Sequence, residues 1–170
     1  MHDRPSGQED IAPTAPGCPL PIPYTATEVS RTFADLLETF DYAAELYDLG
    51  VGRLNFLKRA KIKKHLTAIS IALWHIALEK SFPKDSDAFF AHFIATYPPI
   101  SEAGKKARKL RDMVVQYDTL ASEKKDADFT QVADALVRVL NSHQDENRRQ
   151  QLKISLRIRA AYDLIFEKLI

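Results

Sequence analysis

The chain has 170 residues, of which 45% are hydrophobic, and its 24 basic residues nearly balance its 23 acidic ones. This length and this hydrophobic content favour one globular domain and exclude a chain that is disordered throughout. The net charge of +1 is far from the strongly basic balance of dedicated nucleic-acid binders, so a positive surface requires local clustering of charge.

The sequence has none of the signals of a secreted or membrane protein. Its one cysteine, Cys18, can form no intramolecular disulfide and offers no metal-ligand spacing. The first residues, MHDRPSGQED, lack the basic start and apolar run of a signal peptide, and the longest near-apolar run, at 66–78, is too short to span a bilayer. We therefore expect a soluble, cytoplasmic protein without a membrane partner.

The N-terminal segment is rich in proline. Six of the nine prolines fall within the first 23 residues, where they exclude a helix or a central strand. We predict a flexible, extended arm over residues 1–25 and a single helical domain over residues 26–170.

After this arm, apolar residues recur at alternating steps of four and three, which predicts a helix. These residues are Val29, Phe33, Leu36, Phe40, Ala43 and Tyr47. We expect Thr27 to cap this first helix and Gly50 to end it. A second helix is predicted from Leu54 to Phe82, and its 66–78 part is apolar nearly all round, which is typical of the centre of a bundle.

Asp85 or Ser86 is expected to cap the third helix, which ends before the Pro98–Pro99 pair. It carries an aromatic face of Phe89, Phe90, Phe93, Ile94 and Tyr97. Such a face packs in a core more often than it lines a ligand pocket, and both uses are open here. Ser101 is expected to cap a fourth helix.

A fifth helix is predicted to start at Asp128 or Thr130. The last segment contains LKISLRIR at 152–159, which alternates like a strand, but no other stretch reads as a partner strand. We therefore predict a helix over 146–170. Its basic residues Arg149, Lys153 and Arg157 follow at steps of four. The expected fold is all-α, an antiparallel bundle of five to six helices.

Charge is unevenly distributed along this bundle. Residues 28–48 carry six acids and one arginine, whereas residues 51–65 carry six basic residues and no acid. Three stretches, at 53–65, 105–111 and 148–159, hold sixteen Lys or Arg residues without an acid. If they converge, they form a positive surface for nucleic-acid backbone, whereas the alternative is pairing with the acidic first helix. The candidate binding residues are Arg53, Lys58, Arg59, Lys61, Lys63, Lys64, Lys105, Arg108, Lys109, Arg149, Lys153 and Arg157.

Motifs for cofactor or metal chemistry are absent from the sequence. Gly50 and Gly52 lack the third glycine and the preceding strand of a phosphate-binding turn. The five histidines form no HExxH motif. His75 and Glu79 stand four residues apart, and we interpret them as a mutually satisfied pair rather than metal ligands. We expect neither a cofactor nor a metal.

One spacing points to catalysis. Arg59 and His65 resemble, in spacing alone, the Arg-x(4 to 6)-His pattern of helical HEPN-type ribonucleases, with Ala60 in place of the usual polar residue. An arginine there would stabilise phosphorane-like charge and a histidine would move a proton. Six positions on one helix, however, place the two side chains on different faces.

Three hypotheses follow for the function. The first is a non-catalytic accessory or assembly subunit whose basic surface contacts nucleic-acid backbone or an acidic protein partner. The second is a protein-interaction module, self-associating through its acidic and basic helices into an oligomer that dissociates in salt. The third is the HEPN-like ribonuclease. The sequence favours a protein that is not an enzyme.

Overall fold

A computed structural model describes residues 24–123, 128–140 and 147–169 of the protein, and every regular element in these ranges is an α-helix. The helices are α1 (Ala26–Thr39), α2 (Tyr42–Asp48), α3 (Phe56–Ser81), α4 (Ser86–Thr96), α5 (Pro98–Ser101), α6 (Lys105–Ser122), α7 (Thr130–Leu140) and α8 (Asn147–Leu169). The all-α prediction is confirmed, with eight helices in these ranges rather than five or six. Apart from its last two residues, the predicted arm lies outside the described residues, as does Cys18.

The first predicted helix is in fact two helices. Thr25, not Thr27, caps α1: its hydroxyl accepts a hydrogen bond from the Glu28 backbone N–H (3.2 Å), and the Glu28 carboxylate accepts one from the Thr25 N–H (3.0 Å). The helix ends at Phe40, whose ψ of 117° is extended. Asp41 then caps α2 by accepting from two backbone N–H groups. The cap at Asp41 therefore divides the predicted helix in two, although apolar residues keep their helical spacing across the break.

Helix α3 is the central element, as predicted. Asn55 caps it, and nearly all of its 66–78 part is buried. Trp74, which is fully buried, stacks on Phe33 of α1 with ring centroids 4.4 Å apart and lies 4.9 Å from the ring of Phe93 in α4. Rings from three helices therefore form the middle of the core.

The connection between α4 and α6 differs from the prediction. Helix α4 begins at Ser86, with Asp85 at the cap position as expected, although the Asp85 side chain makes no capping hydrogen bond. The Pro98–Pro99 pair opens the one-turn helix α5, and Ser101 ends that helix instead of capping the next one. Gly104 precedes α6 with a φ of 152°, a conformation that side-chain-bearing residues rarely adopt. In the aromatic face, Phe89 and Phe93 are buried, which favours core packing.

The LKISLRIR segment lies inside α8, so the helical prediction is confirmed. Ile154 and Ile158 are buried against the core, while Leu152 and Leu156 are exposed on the opposite side. The strand-like alternation therefore arises from two different faces of one helix. No helix in the described ranges is long and apolar enough to cross a membrane.

Candidate polyanion-binding surface

One side of the basic start of α3 faces α2. The Arg59 guanidinium donates to the carbonyl of Val51 (3.3 Å), and the Lys63 ammonium lies 5.7 Å above the ring of Tyr42. Lys63 therefore contacts α2 itself, and Arg59 contacts the segment that joins α2 to α3. Such contacts hold cations near the protein rather than presenting them to a partner.

Another side of α3 faces α6. At about 100° per residue, Lys58 and Lys61 flank His65 on this side of the helix, and Lys64 lies about 60° beyond Lys61. The imidazole Nδ1 of His65 makes a 2.8 Å hydrogen bond with the hydroxyl of Tyr117 in α6. This bond joins the basic part of α3 to α6.

Helix α6 brings its own lysines to the same place. Burial lowers the pKa of His65, and the positive charges of Lys61 and Lys109 lower it further. The His65 imidazole therefore lies near one lysine of each helix, and two of the three basic stretches meet beside it. Burial also raises the pKa of Tyr117 to about 12, so its hydroxyl stays protonated at neutral pH.

We call the resulting surface the lysine face. At about 100° per residue along a helix, Lys105 and Lys106 lie on the same side of α6 as Lys109, whereas Arg108 points further round. The lysine face consists of Lys58, Lys61, Lys64, Lys105, Lys106 and Lys109. Five of the six are exposed, and Lys58 is half-buried. Within the described ranges none of the six forms a salt bridge, although Asp112 lies on a neighbouring part of α6.

The third basic stretch is used differently. Arg157 of α8 forms ion pairs with Glu45 (2.7 Å) and with Asp48 of α2. The hydrogen bond to Asp48, followed by that to Glu45, raises the pKa of Arg157. The ammonium of Lys153 donates to the Asp48 carbonyl (3.3 Å). Two predicted binding residues are therefore engaged with the acidic segment, as the alternative interpretation of the charge pattern expects.

The remaining predicted residues lie apart from the lysine face. Arg149 is exposed near the start of α8, where it borders a shallow pocket beside Thr130. Arg53 is exposed in the turn before α3. Neither forms a salt bridge among the described residues.

His75 does not pair with Glu79, so that interpretation is wrong. Its Nδ1 lies 3.0 Å from the Asp118 carboxylate of α6, and its ring stacks on Phe90 of α4 with centroids 3.9 Å apart. Burial lowers the pKa of His75, but the hydrogen bond and charge of Asp118, with Glu79 and Asp87 further away, raise it overall. In the described ranges no three His, Cys, Asp or Glu residues are grouped to hold a metal.

The ribonuclease spacing receives no support from this geometry. Arg59 contacts the Val51 carbonyl on the α2 side of α3, while His65 contacts Tyr117 on the α6 side. The two groups do not converge on a common point where a phosphate could sit.

The structure reveals an apolar tip that the sequence analysis did not single out. Leu54, Phe56 and Leu57 are 89%, 74% and 88% exposed, respectively, at the start of α3. Three large apolar side chains are therefore exposed together at this end of the helix. The sequence does contain a sign of this exposure: basic residues occur all round the helix just after these three residues, which indicates that the start of α3 projects beyond the core. Comparison with protein-family models, curated proteins and solved structures found no match to this chain.

Proposed function

We propose that this protein is a non-catalytic accessory subunit that binds nucleic-acid backbone through the lysine face. The observation that carries the proposal is that Lys61 of α3 and Lys109 of α6 lie beside His65, whose hydrogen bond to Tyr117 joins the two helices, and that neither lysine forms a salt bridge among the described residues. A helical bundle with antiparallel neighbours would present these lysines on a rigid frame. The proposal includes a cytoplasmic location and no cofactor.

The charge chemistry favours binding that does not depend on base sequence. Lysine is a flexible point charge that suits phosphate oxygens, whereas base recognition uses the planar donors of arginine or amides. Arg59 and Arg157 are held by Val51 and by the acids of α2, and the lysine face itself contains no arginine. Contacts to phosphate release counterions, so the affinity should fall steeply as salt rises.

Fluorescence anisotropy with labelled single- and double-stranded DNA and RNA at about 50 and about 200 mM salt tests the proposal. We expect binding at the lower salt, and a loss of about tenfold or more in the Lys61→Glu/Lys109→Glu variant for every sequence used. The matched control is Lys84→Glu, an exposed lysine beyond the far end of α3, roughly 25 Å or more from the lysine face. Equal affinities for the control and the double variant would reject this surface.

Self-association or binding to another protein is the second candidate, because the apolar tip favours it. Burying three exposed side chains would stabilise a contact by the hydrophobic effect, which salt does not screen. Sedimentation equilibrium of the wild-type protein and the Leu57→Ser variant tests this role in self-association. A concentration-dependent dimer that Leu57→Ser dissociates would support it, and a wild-type monomer at every concentration would contradict it.

A further inference from the structure

A cavity of about 500 Å³ lies beneath α2, between α3 and α8. Its walls are Leu66, Ile69 and Leu73 of α3 and Ile154, Ile158 and Ala161 of α8. This volume is within the range of small-molecule sites, which are mostly apolar with a few polar groups that orient the ligand. The space opens to solvent beside the exposed residues Asp41, Asp48 and Ala160, which leaves a path by which a ligand could enter.

Helix α2 covers the cavity and is attached on two sides, to α3 through Leu46 and the Lys63–Tyr42 contact and to α8 through ion pairs. It has seven residues, of which Leu46 is the buried one. The ion pairs of Arg157 with Glu45 and Asp48 connect it to α8. A short cover held by partly exposed ion pairs can move aside at a lower cost than a helix packed along its whole length.

The charges at the edge define which ligands the cavity favours. Asp41, Glu45, Asp48 and Arg157 all line it, and the Lys153 ammonium lies at the Asp48 carbonyl, so three carboxylates face two cations and the edge keeps a net negative charge. Each carboxylate can accept several hydrogen bonds, which leaves capacity for a further donor. A cationic group is therefore favoured at this edge and an anionic group is disfavoured.

A hydroxyl in the lining adds a polar contact. Tyr42 borders the cavity, and its buried hydroxyl has no hydrogen-bond partner of good geometry among the described residues. Burial raises the pKa of Tyr42, and the nearby hydroxyls of Thr67 and Ser70 offset this only in part. A hydroxyl can both donate and accept, so a ligand could add a hydrogen bond that the Thr67 and Ser70 hydroxyls do not complete.

We propose that this cavity binds a small apolar amine, whose hydrocarbon body fills the space beneath α2 and whose ammonium group lies at the Glu45 and Asp48 edge. This site is separate from the lysine face, so the nucleic-acid measurements and the ligand measurements succeed or fail independently. Binding would add contacts beneath α2 and stabilise the folded state by mass action.

Isothermal titration calorimetry with three probes of similar shape tests the proposal: 1-naphthylmethylamine, 1-naphthalenemethanol and 1-naphthaleneacetate. We expect the amine to bind at one site, about two- to fivefold tighter than the alcohol, which is the range for a partly exposed ion pair, and the carboxylate to bind weakest. Failure of all three probes to bind would overturn the proposal, and tighter binding of the carboxylate would overturn the charge assignment.

Two variants locate the site. Ala161→Phe places a ring in the cavity and should abolish binding of the amine, whereas Ala91→Phe, at an exposed position in α4, should leave it unchanged. Equal binding by these two variants would overturn the location. If Ala161→Phe does not fold, the variant Glu45→Gln/Asp48→Asn tests the site instead. It removes the two carboxylates that pair with Arg157, so the preference for the amine over the carboxylate should disappear or reverse. An unchanged preference would overturn the proposal.

Discussion

Arg157 connects α8 to α2, and its replacement should lower stability without affecting nucleic-acid binding. The side chains of Arg157, Glu45 and Asp48 are 32%, 46% and 39% exposed, so both ion pairs are partly solvated. Exposed pairs contribute about 0.2–1 kcal/mol each, and hydrogen bonds to better-shielded charges contribute more, about 1.5–3 kcal/mol. We therefore expect Arg157→Met, which keeps the apolar stem, to lower the free energy of unfolding by about 1–2 kcal/mol. For a chain of this size, that loss corresponds to about 2–8 °C in melting temperature.

Circular dichroism melts at low and high salt measure this effect. The loss should shrink as salt rises, because screening weakens exposed ion pairs. Arg149→Met is the matched control, since Arg149 is exposed two turns earlier on α8 and forms no salt bridge among the described residues. A double-mutant cycle with Asp48→Asn isolates the pair. Equal melting temperatures for Arg157→Met and Arg149→Met would refute the reasoning.

Three further predictions concern the core, a buried ion pair and a helix cap. Trp74→Ala should lower the free energy of unfolding by about 3–5 kcal/mol in urea titrations, and a loss below about 1 kcal/mol would contradict the buried stack on Phe33. Folding raises the pKa of His75, so the wild-type protein should be more stable than His75→Gln below pH about 6.5 and should lose this difference as pH rises through the folded pKa. Thermal melts at several pH values measure the difference, and an increase of the difference with rising pH would contradict this prediction. Thr25→Ala should lower the free energy of unfolding by about 1 kcal/mol in urea titrations, and Thr27→Ala should lower it by less. An equal loss in the two variants would contradict the assignment of Thr25 as the cap.

The elements that follow from hydrophobic pattern were predictable. The 66–78 region is apolar on every side, and only the centre of a bundle accommodates such a helix. The break between α1 and α2 was not predictable in this way, because apolar residues keep their helical spacing through Phe40. The break depends on the cap formed by Asp41 and on the contacts of α2 with its neighbours. Likewise, the start of α6 follows the backbone of Gly104 rather than the capping preference of Ser101.

The candidate site was predictable in composition but not in arrangement. The three basic stretches are evident in the sequence, yet their partners are not. Arg157 pairs with residues 109 and 112 positions away along the chain. The contact between His65 and Tyr117 spans 52 positions. Only the packing of helices decides which charges are neutralised and which remain available, and no periodicity in the sequence encodes that pairing.

The salt dependence of nucleic-acid affinity tests the central claim most directly. Plots of log affinity against log salt should be steep for the wild-type protein and for Arg157→Met. In Lys61→Gln/Lys109→Gln the slope should become shallower by about 2, which is about one unit for each lost phosphate contact, with an unchanged melting temperature. No binding at about 50 mM salt, or a slope that these two substitutions leave unchanged, would contradict the account.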